Sequence, residues 1–343
     1  MRVTTIPMTI ASSQLYKKCS AAVYPPSRAR LFSLVSVVLL LSGCFMQPDD
    51  VAMVKKFRVM AVSVNPPELR PDNQTETTVT VLWRDPKGNN RPVSFAWVVC
   101  QGKVDATSGY QYCALLDPAL APVVTDASDS GDRMTIPPVP EAAFAEIAAG
   151  ETVDATVIVL ACAGGTLPAA EQLLNHRDDP DIAKLCAGGD GIAAYKTIQI
   201  ANGNEHNDAP NAVPVIQSVR LDGQLLISNE AATEDVTPDN FADCSTSDCE
   251  TESMELEVTF TAESFQQYTE VIFDEPEIRH EYPAVYWFIT GGELLTPYTS
   301  SSGPDDPAIA EWIPKKPGQY TLFAVANDNR GGISWQTFEI EIR

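Results

Sequence analysis

The chain has 343 residues, 44% of them hydrophobic, so at the usual ~150 residues per domain it has material for two cores. With 46 acidic against 23 basic side chains its formal charge is −23, which repels phosphate backbones and excludes a nucleic-acid partner. Proline (26) and glycine (19) are at ordinary levels, which excludes a collagen-like or low-complexity chain, and three histidines leave little for a His-rich metal centre.

In chain order, the first feature is an apolar run over residues 31–41, preceded by Arg28 and Arg30 and closed by Leu41-Ser42-Gly43-Cys44. The run is well short of the ~20 residues that cross a bilayer. Its basic, apolar and small-residue order predicts an export signal. The 30 residues ahead of Leu31 make a long leader, explained by a start codon placed too early. Residues 1–43 hold five basic residues and no acid, which leaves 18 basic against 46 acidic side chains in residues 44–343. Residues 44–56, with the polar Gln47-Pro48-Asp49-Asp50, predict a tether, and structure is expected to start near Phe57.

Strands are predicted over 57–64, 77–83, 93–99, 156–162 and 197–200, from alternation or from short apolar runs between turn residues. Helical spacing interrupts this pattern over 168–174 and 181–185, and weakly over 141–147. Residues 201–211 (ANGNEHNDAPN) have no apolar period and mark a domain boundary. Further strands are predicted over 215–221, 285–289, 320–326 and 338–342. The clearest puts Met254, Leu256, Val258 and Phe260 on one face. Trp97 and Trp287 sit at the centre of one strand in each half, and with Trp83 they are expected in cores. Trp312, Trp335, Tyr110 and Tyr112 could stack on a sugar, and capping a core is their default role.

Cysteine usage agrees with export. Leaving aside Cys19 in the leader and Cys44, six remain: Cys100, Cys113, Cys162, Cys186, Cys244 and Cys249. An even number in an oxidising compartment predicts three disulfides. Proximity favours Cys100 with Cys113, Cys162 with Cys186 and Cys244 with Cys249, although the first two pairs could exchange partners. The spacings lack the paired C-x-x-C of a zinc site.

The phrase Leu41-Ser42-Gly43-Cys44 resembles the lipobox of bacterial lipoproteins. That resemblance implies lipidation of Cys44, cleavage before it and stable attachment to a membrane through several acyl chains. Phe45 in place of a retaining aspartate implies the outer membrane, on either its periplasmic or its surface side. The phrases DPKGNNRPVSFAW and WIPKKPGQYTLFAVANDNRGG resemble the strand–turn–strand segments of bacterial immunoglobulin-like domains of the PKD and cadherin-like kind. This implies β-sandwiches with Tyr320 at a corner.

No G-x-S-x-G, H-E-x-x-H or Walker-type loop occurs, and His176, His206 and His280 lie in polar, loop-like segments. Calcium is the cation to consider: Asp305, Asp306, Asn327, Asp328 and Asn329 are candidate oxygen ligands at a sandwich end, and the acidic segment 229–252 is a second concentration of carboxylates. The alternative is that these acids simply keep an exported chain soluble.

The expectation is therefore an all-β chain of two tandem immunoglobulin-like β-sandwich domains, the first with loop insertions carrying short helices. Its parts are a signal peptide (1–43), a lipidated tether (44–56), a first sandwich (57–204), a linker (205–212) and a PKD-like sandwich (213–343). The expected role is a non-catalytic envelope scaffold, adhesion or binding protein, without a cofactor unless calcium, anchored by lipid and facing an envelope protein or glycan. The alternatives are a calcium-stabilised or carbohydrate-binding surface module, and an enzyme whose site is assembled from distant loops.

Overall fold

Valines, isoleucines and aromatic residues at every second position suit a pleated, half-buried surface, and they make this chain all-β. The computed structural model describes residues 52–72, 75–87, 91–104, 111–114, 124–125, 131–138, 144, 147, 152–176, 181–203, 208–228, 231–234, 253–272 and 275–343. All of these belong to one compact unit. Cys44, Cys244, Cys249, Tyr110 and most of segments 141–147 and 229–252 lie outside the described residues, as do the side chains of Cys100, Cys113 and Tyr112.

The first half contains β1 (Arg58–Asn65), β2 (Glu68–Leu69), β3 (Thr77–Arg84), β4 (Val93–Val104), β5 (Gln111–Ala114), β6 (Val124–Thr125), β7 (Arg133–Ile136), β8 (Thr152–Ala163) and β9 (Asp190–Ala201). One sheet has the order β1-β3-β7 and the other β2-β9-β8-β4-β5, with β6 also on β4. The chain changes sheets between β1, antiparallel to β3, and β2, parallel to β9. Val62, Val64, Val79 and Val81 face Phe95, Trp97, Val157 and Val159 across the core.

Strand β8 reads as a continuous apolar run because both its faces are buried. Its second face, Ile158 and Leu160 with Ala96 and Val98 of β4, is covered by Leu173 and Ile182. Leu173 belongs to helix α1 (Ala170–Asn175) and Ile182 to a 3-10 turn (Ile182–Leu185). The predicted helical spacing is thus the cover of a sheet. Its loop is tied down by the disulfide Cys162–Cys186, with Cα atoms 5.5 Å apart. At the neck of the loop Thr166 and Ala187 exchange main-chain hydrogen bonds of 2.9 and 3.0 Å. The crossing there needs glycine, since a Cβ on Gly165 would stand 2.7 Å from the Gly189 nitrogen.

The second half contains β10 (Ile216–Leu221), β11 (Gln224–Leu225), β12 (Ala231–Glu234), β13 (Met254–Phe260), β14 (Gln267–Ile272), β15 (Glu275–His280), β16 (Ala284–Ile289), β17 (Glu293–Leu294), β18 (Tyr298–Ser300), β19 (Ala308–Ile313), β20 (Gly318–Asn327) and β21 (Ile333–Ile342). Its sheets run β11-β10-β13-β19-β17 and β12-β21-β20-β16-β18, and β14 pairs with β15 in a separate ribbon. The ribbon was not foreseen from sequence. The alternation expected of Met254, Leu256, Val258 and Phe260 is present, and all four enter the core with Trp287, Trp312 and Phe338.

The same pairing pattern occurs twice. In each half a three-strand antiparallel set (β1-β3-β7, β10-β13-β19) faces a second one (β4-β8-β9, β16-β20-β21), and a short strand joins the last of these in parallel. Trp97 and Trp287 hold equivalent places, paired with Val159 of β8 and Ala324 of β20.

The halves meet face to face. The outer face of β16 and β20, with Phe288, Phe323 and Val325, packs against Met60, Ala61 and Leu82 of the β1-β3 sheet. Ser63 donates to the Ile333 carbonyl at 2.5 Å, and the Arg58 guanidinium lies 5.0 Å from the centre of the Phe288 ring. Packing begins by Ala52 rather than near Phe57. Ala52 and Met53 enter the second-half core, Val54 enters the seam, and hydrogen bonds of 2.9 and 3.0 Å tie residues 52 and 54 to Ile289.

Candidate functional site

Most of the buried charge of the described residues gathers at one end of this seam, around the turn that joins β20 to β21. The sequence Asn327-Asp328-Asn329-Arg330-Gly331-Gly332 was expected to turn, and the turn is closed by its own aspartate. Asp328 Oδ1 accepts the main-chain N–H groups of Arg330 and Gly332, each at 2.8 Å. Gly332 is required there, because a Cβ would meet Asp328 Oδ2 at 2.1 Å and the Ala212 carbonyl at 2.9 Å. This turn aims Arg330 at the first half.

Arg330 Nη2 donates to Glu68 Oε2 at 2.8 Å, and Nη1 to Glu281 Oε1 at 3.0 Å. Its guanidinium also lies 5.0 Å from the centre of the Tyr268 ring, and Asn329 fixes that tyrosine by donating to its hydroxyl at 2.7 Å. Glu68 accepts in addition from Arg70 Nε at 2.6 Å and from the Asn211 N–H at 2.7 Å. Arg70 Nη1 reaches the Asp208 carbonyl at 2.6 Å, and Asp208 takes the Thr269 N–H at 2.7 Å. From the other side Lys196 of β9 donates to the Gly331 carbonyl. The cluster thus joins β2, β9, the segment 208–212, β14 and the β20–β21 turn.

Burial makes these groups behave unusually. Glu281 is 1% exposed, and burial, aided by the neighbouring Asp328 charge and opposed by Arg330, pushes its carboxyl up to about 7. Burial drives the Lys196 ammonium down to about 8, against the attraction of Asp328. Burial also raises Asp328, although the N–H groups of its turn stabilise the anion. A buried ion pair costs desolvation, so such a cluster favours one specific docking geometry more than it adds net stability.

The expected calcium ligands are placed as follows. Asp328 is buried, with Oδ1 committed to its turn, and Asn329 bonds to Tyr268. Asn327 is within β20, paired with Ala284 and Ile333. Asp306 closes a different turn through the N–H and hydroxyl of Ser302, and Asp305 beside it is exposed. Among the described residues no three His, Cys, Asp or Glu side chains form a group that could hold a metal ion. Of the aromatic residues, Trp312 is fully buried and T-stacked on Tyr320 at 5.1 Å, while Trp335 packs at the edge of the seam. The Tyr320 hydroxyl donates to the Lys316 carbonyl at 2.5 Å. Sequence reasoning missed Glu68, Lys196, Glu281 and Arg330. The one local signal was the Gly331-Gly332 pair after an aspartate, which marks a tight turn without saying what it presents.

No family model matches the chain, and no curated protein matches it. Among solved structures it is similar to the fibronectin(III)-like modules of CbhA from Clostridium thermocellum, with 10% identity and a TM-score of 0.22 over 82% of this chain and 94% of that one. The D00-D0 domain of intimin gives 11% identity and a TM-score of 0.22 over 82% and 100%. A 1.5-MDa bacterial ice-binding adhesin gives 8% and 0.20 over 84% and 65%. Likenesses of this size carry no argument, and the fold rests on its own strand pairings. Among the described residues no helix is long and apolar enough to cross a membrane.

Proposed function

We propose that the chain is a lipid-anchored protein of the cell envelope in which two immunoglobulin-like sandwiches act as a rigid, non-catalytic scaffold or binding module. The observation that carries this reading is the junction. An apolar seam and a buried ionic cluster fix the two halves in one orientation, as a spacer or presenting surface requires and a flexible string of modules does not. The pairing pattern repeated in the two halves supports the immunoglobulin-like assignment, and the lipobox-like Leu41-Ser42-Gly43-Cys44 supports the anchor. The partner is an envelope protein or glycan.

Expression of the full chain and its Cys44→Ser variant in a bacterial host, followed by detergent phase partition, tests the anchor. The native chain is expected in the detergent phase and the variant in the aqueous phase. Recovery of both in the same phase would refute lipidation at Cys44. Protease treatment of intact cells then reads which side of the membrane displays the second half.

A further inference from the structure

Arg330 is one guanidinium claimed by two carboxylates. Glu68, in the first half, takes Nη2, and Glu281, in the second, takes Nη1. Both carboxylates are buried, at 4% and 1% exposure. The other cations of the cluster are already engaged, Arg70 with Glu68 and Lys196 with the Gly331 carbonyl. With every group ionised, Glu281 therefore shares its only ion-pair partner among the described residues with a competitor across the seam, and it does so next to a third buried carboxylate, Asp328. Tyr268 of β14 feels the charges of both Glu281 and Glu270, and Asp208 stands on the same strand through the Thr269 hydroxyl. Its main-chain N–H is held by the Gln266 carbonyl at 2.9 Å, so the side chain is presented to Arg330 from a fixed backbone.

We propose that Glu281 is a proton-operated clasp on the junction. When it is neutral, the whole charge of Arg330 is left to Glu68 and the junction is held most firmly. When it is ionised, it draws Arg330 back to its own half and adds an anion to the closed interior.

The direction follows from linkage. Burial and the Asp328 charge hold the Glu281 carboxyl near 7 in the folded chain, against an ordinary 4.5. The folded state therefore keeps a proton that the unfolded state releases, so this stabilisation is complete below 4.5 and is lost as the pH rises through about 7. Most acidic proteins lose stability on acidification through their ion-paired carboxylates, and this group acts with the opposite sign.

The test is urea unfolding of the full chain and of E281Q between pH 5 and pH 8.5. Within this window one linked proton changes the folded-to-unfolded ratio by up to about tenfold per pH unit. The native chain is expected to weaken as the pH rises by a margin that E281Q does not show, and E281Q to equal or exceed it at pH 8. Parallel profiles would overturn the clasp. A carbon-13 titration of the Glu281 carboxyl in the native chain provides a readout that needs no variant at this position. A midpoint near 7 supports the proposal and one near 4.5 overturns it. In E68Q, where Arg330 has a single carboxylate left, that midpoint is expected to fall. An unmoved midpoint would show that the two carboxylates do not compete.

Discussion

Strands β8 and β20 hold the same place in the two halves, and both are apolar on both faces, yet they are covered by different means. The second face of β8 lies under a loop from its own neighbourhood, closed by Cys162–Cys186 and filled by Leu173 and Ile182. The second face of β20 lies under the β1-β3 sheet, more than two hundred residues away in sequence. A sheet with two apolar faces needs two covers. A local cover can be added to one domain without consequence for the other. A cover borrowed from the other half makes each half a condition of the other's packing.

That difference can be broken most forcefully from the apolar side. Phe323→Ala in the seam and Leu160→Ala under the loop should each cost about 3–5 kcal/mol, read by urea unfolding. The seam variant alone should separate the halves, seen as new protease cleavage between residues 201 and 211, and the loop variant should leave that segment protected. Arg330→Ala leaves Glu68 and Glu281 buried without their shared cation, and a loss of about 3–5 kcal/mol is expected, greater at pH 8 than at pH 5.5. Replacing Cys162 and Cys186 together by serine should cost about 3 kcal/mol for a closed loop of 24 residues, with the loop exchanging its amides faster and the seam unchanged. The smallest effect is expected at the neck of the loop. Lys87 at 2.9 Å and Arg91 at 2.6 Å hold the Asp190 carboxyl below its usual range. Its contribution is present above pH 3.8 and is lost as the pH falls further, opposite in sign to Glu281. Because Asp190 and Lys87 are exposed, Asp190→Asn should cost under about 1 kcal/mol and less in high salt.

The contrast also explains what could be read in advance. The loop cover was legible because its signals are local: two cysteines, a helical spacing between them and an apolar strand before them. Strand β13 was legible from its alternation. The seam was not legible, because Phe323 and Val325 look the same whether they face a core or another sheet. The run over residues 320–326 predicted a strand without saying what would lie against either of its faces. The ionic cluster was less legible still. Glu68, Lys196, Glu281 and Arg330 are ordinary surface residue types, scattered over the chain, and only the pairing of β2 with β9 and the turn at Asp328 bring them together. Asp328 was noticed for its oxygen atoms, but its N–H partners within the turn could not be seen. Residues 52–54 were read as tether because so short an apolar segment has no period of its own.

That last segment has a mechanical consequence. Residues 52–54 join β16 at Ile289, and β16 is linked through β20 to β21, the strand that leads to Arg343. Tension applied between residue 52 and Arg343 enters and leaves through a single sheet of the second half. The first half hangs beside that line of force, attached along its face, and can strain or be remodelled without parting residue 52 from Arg343.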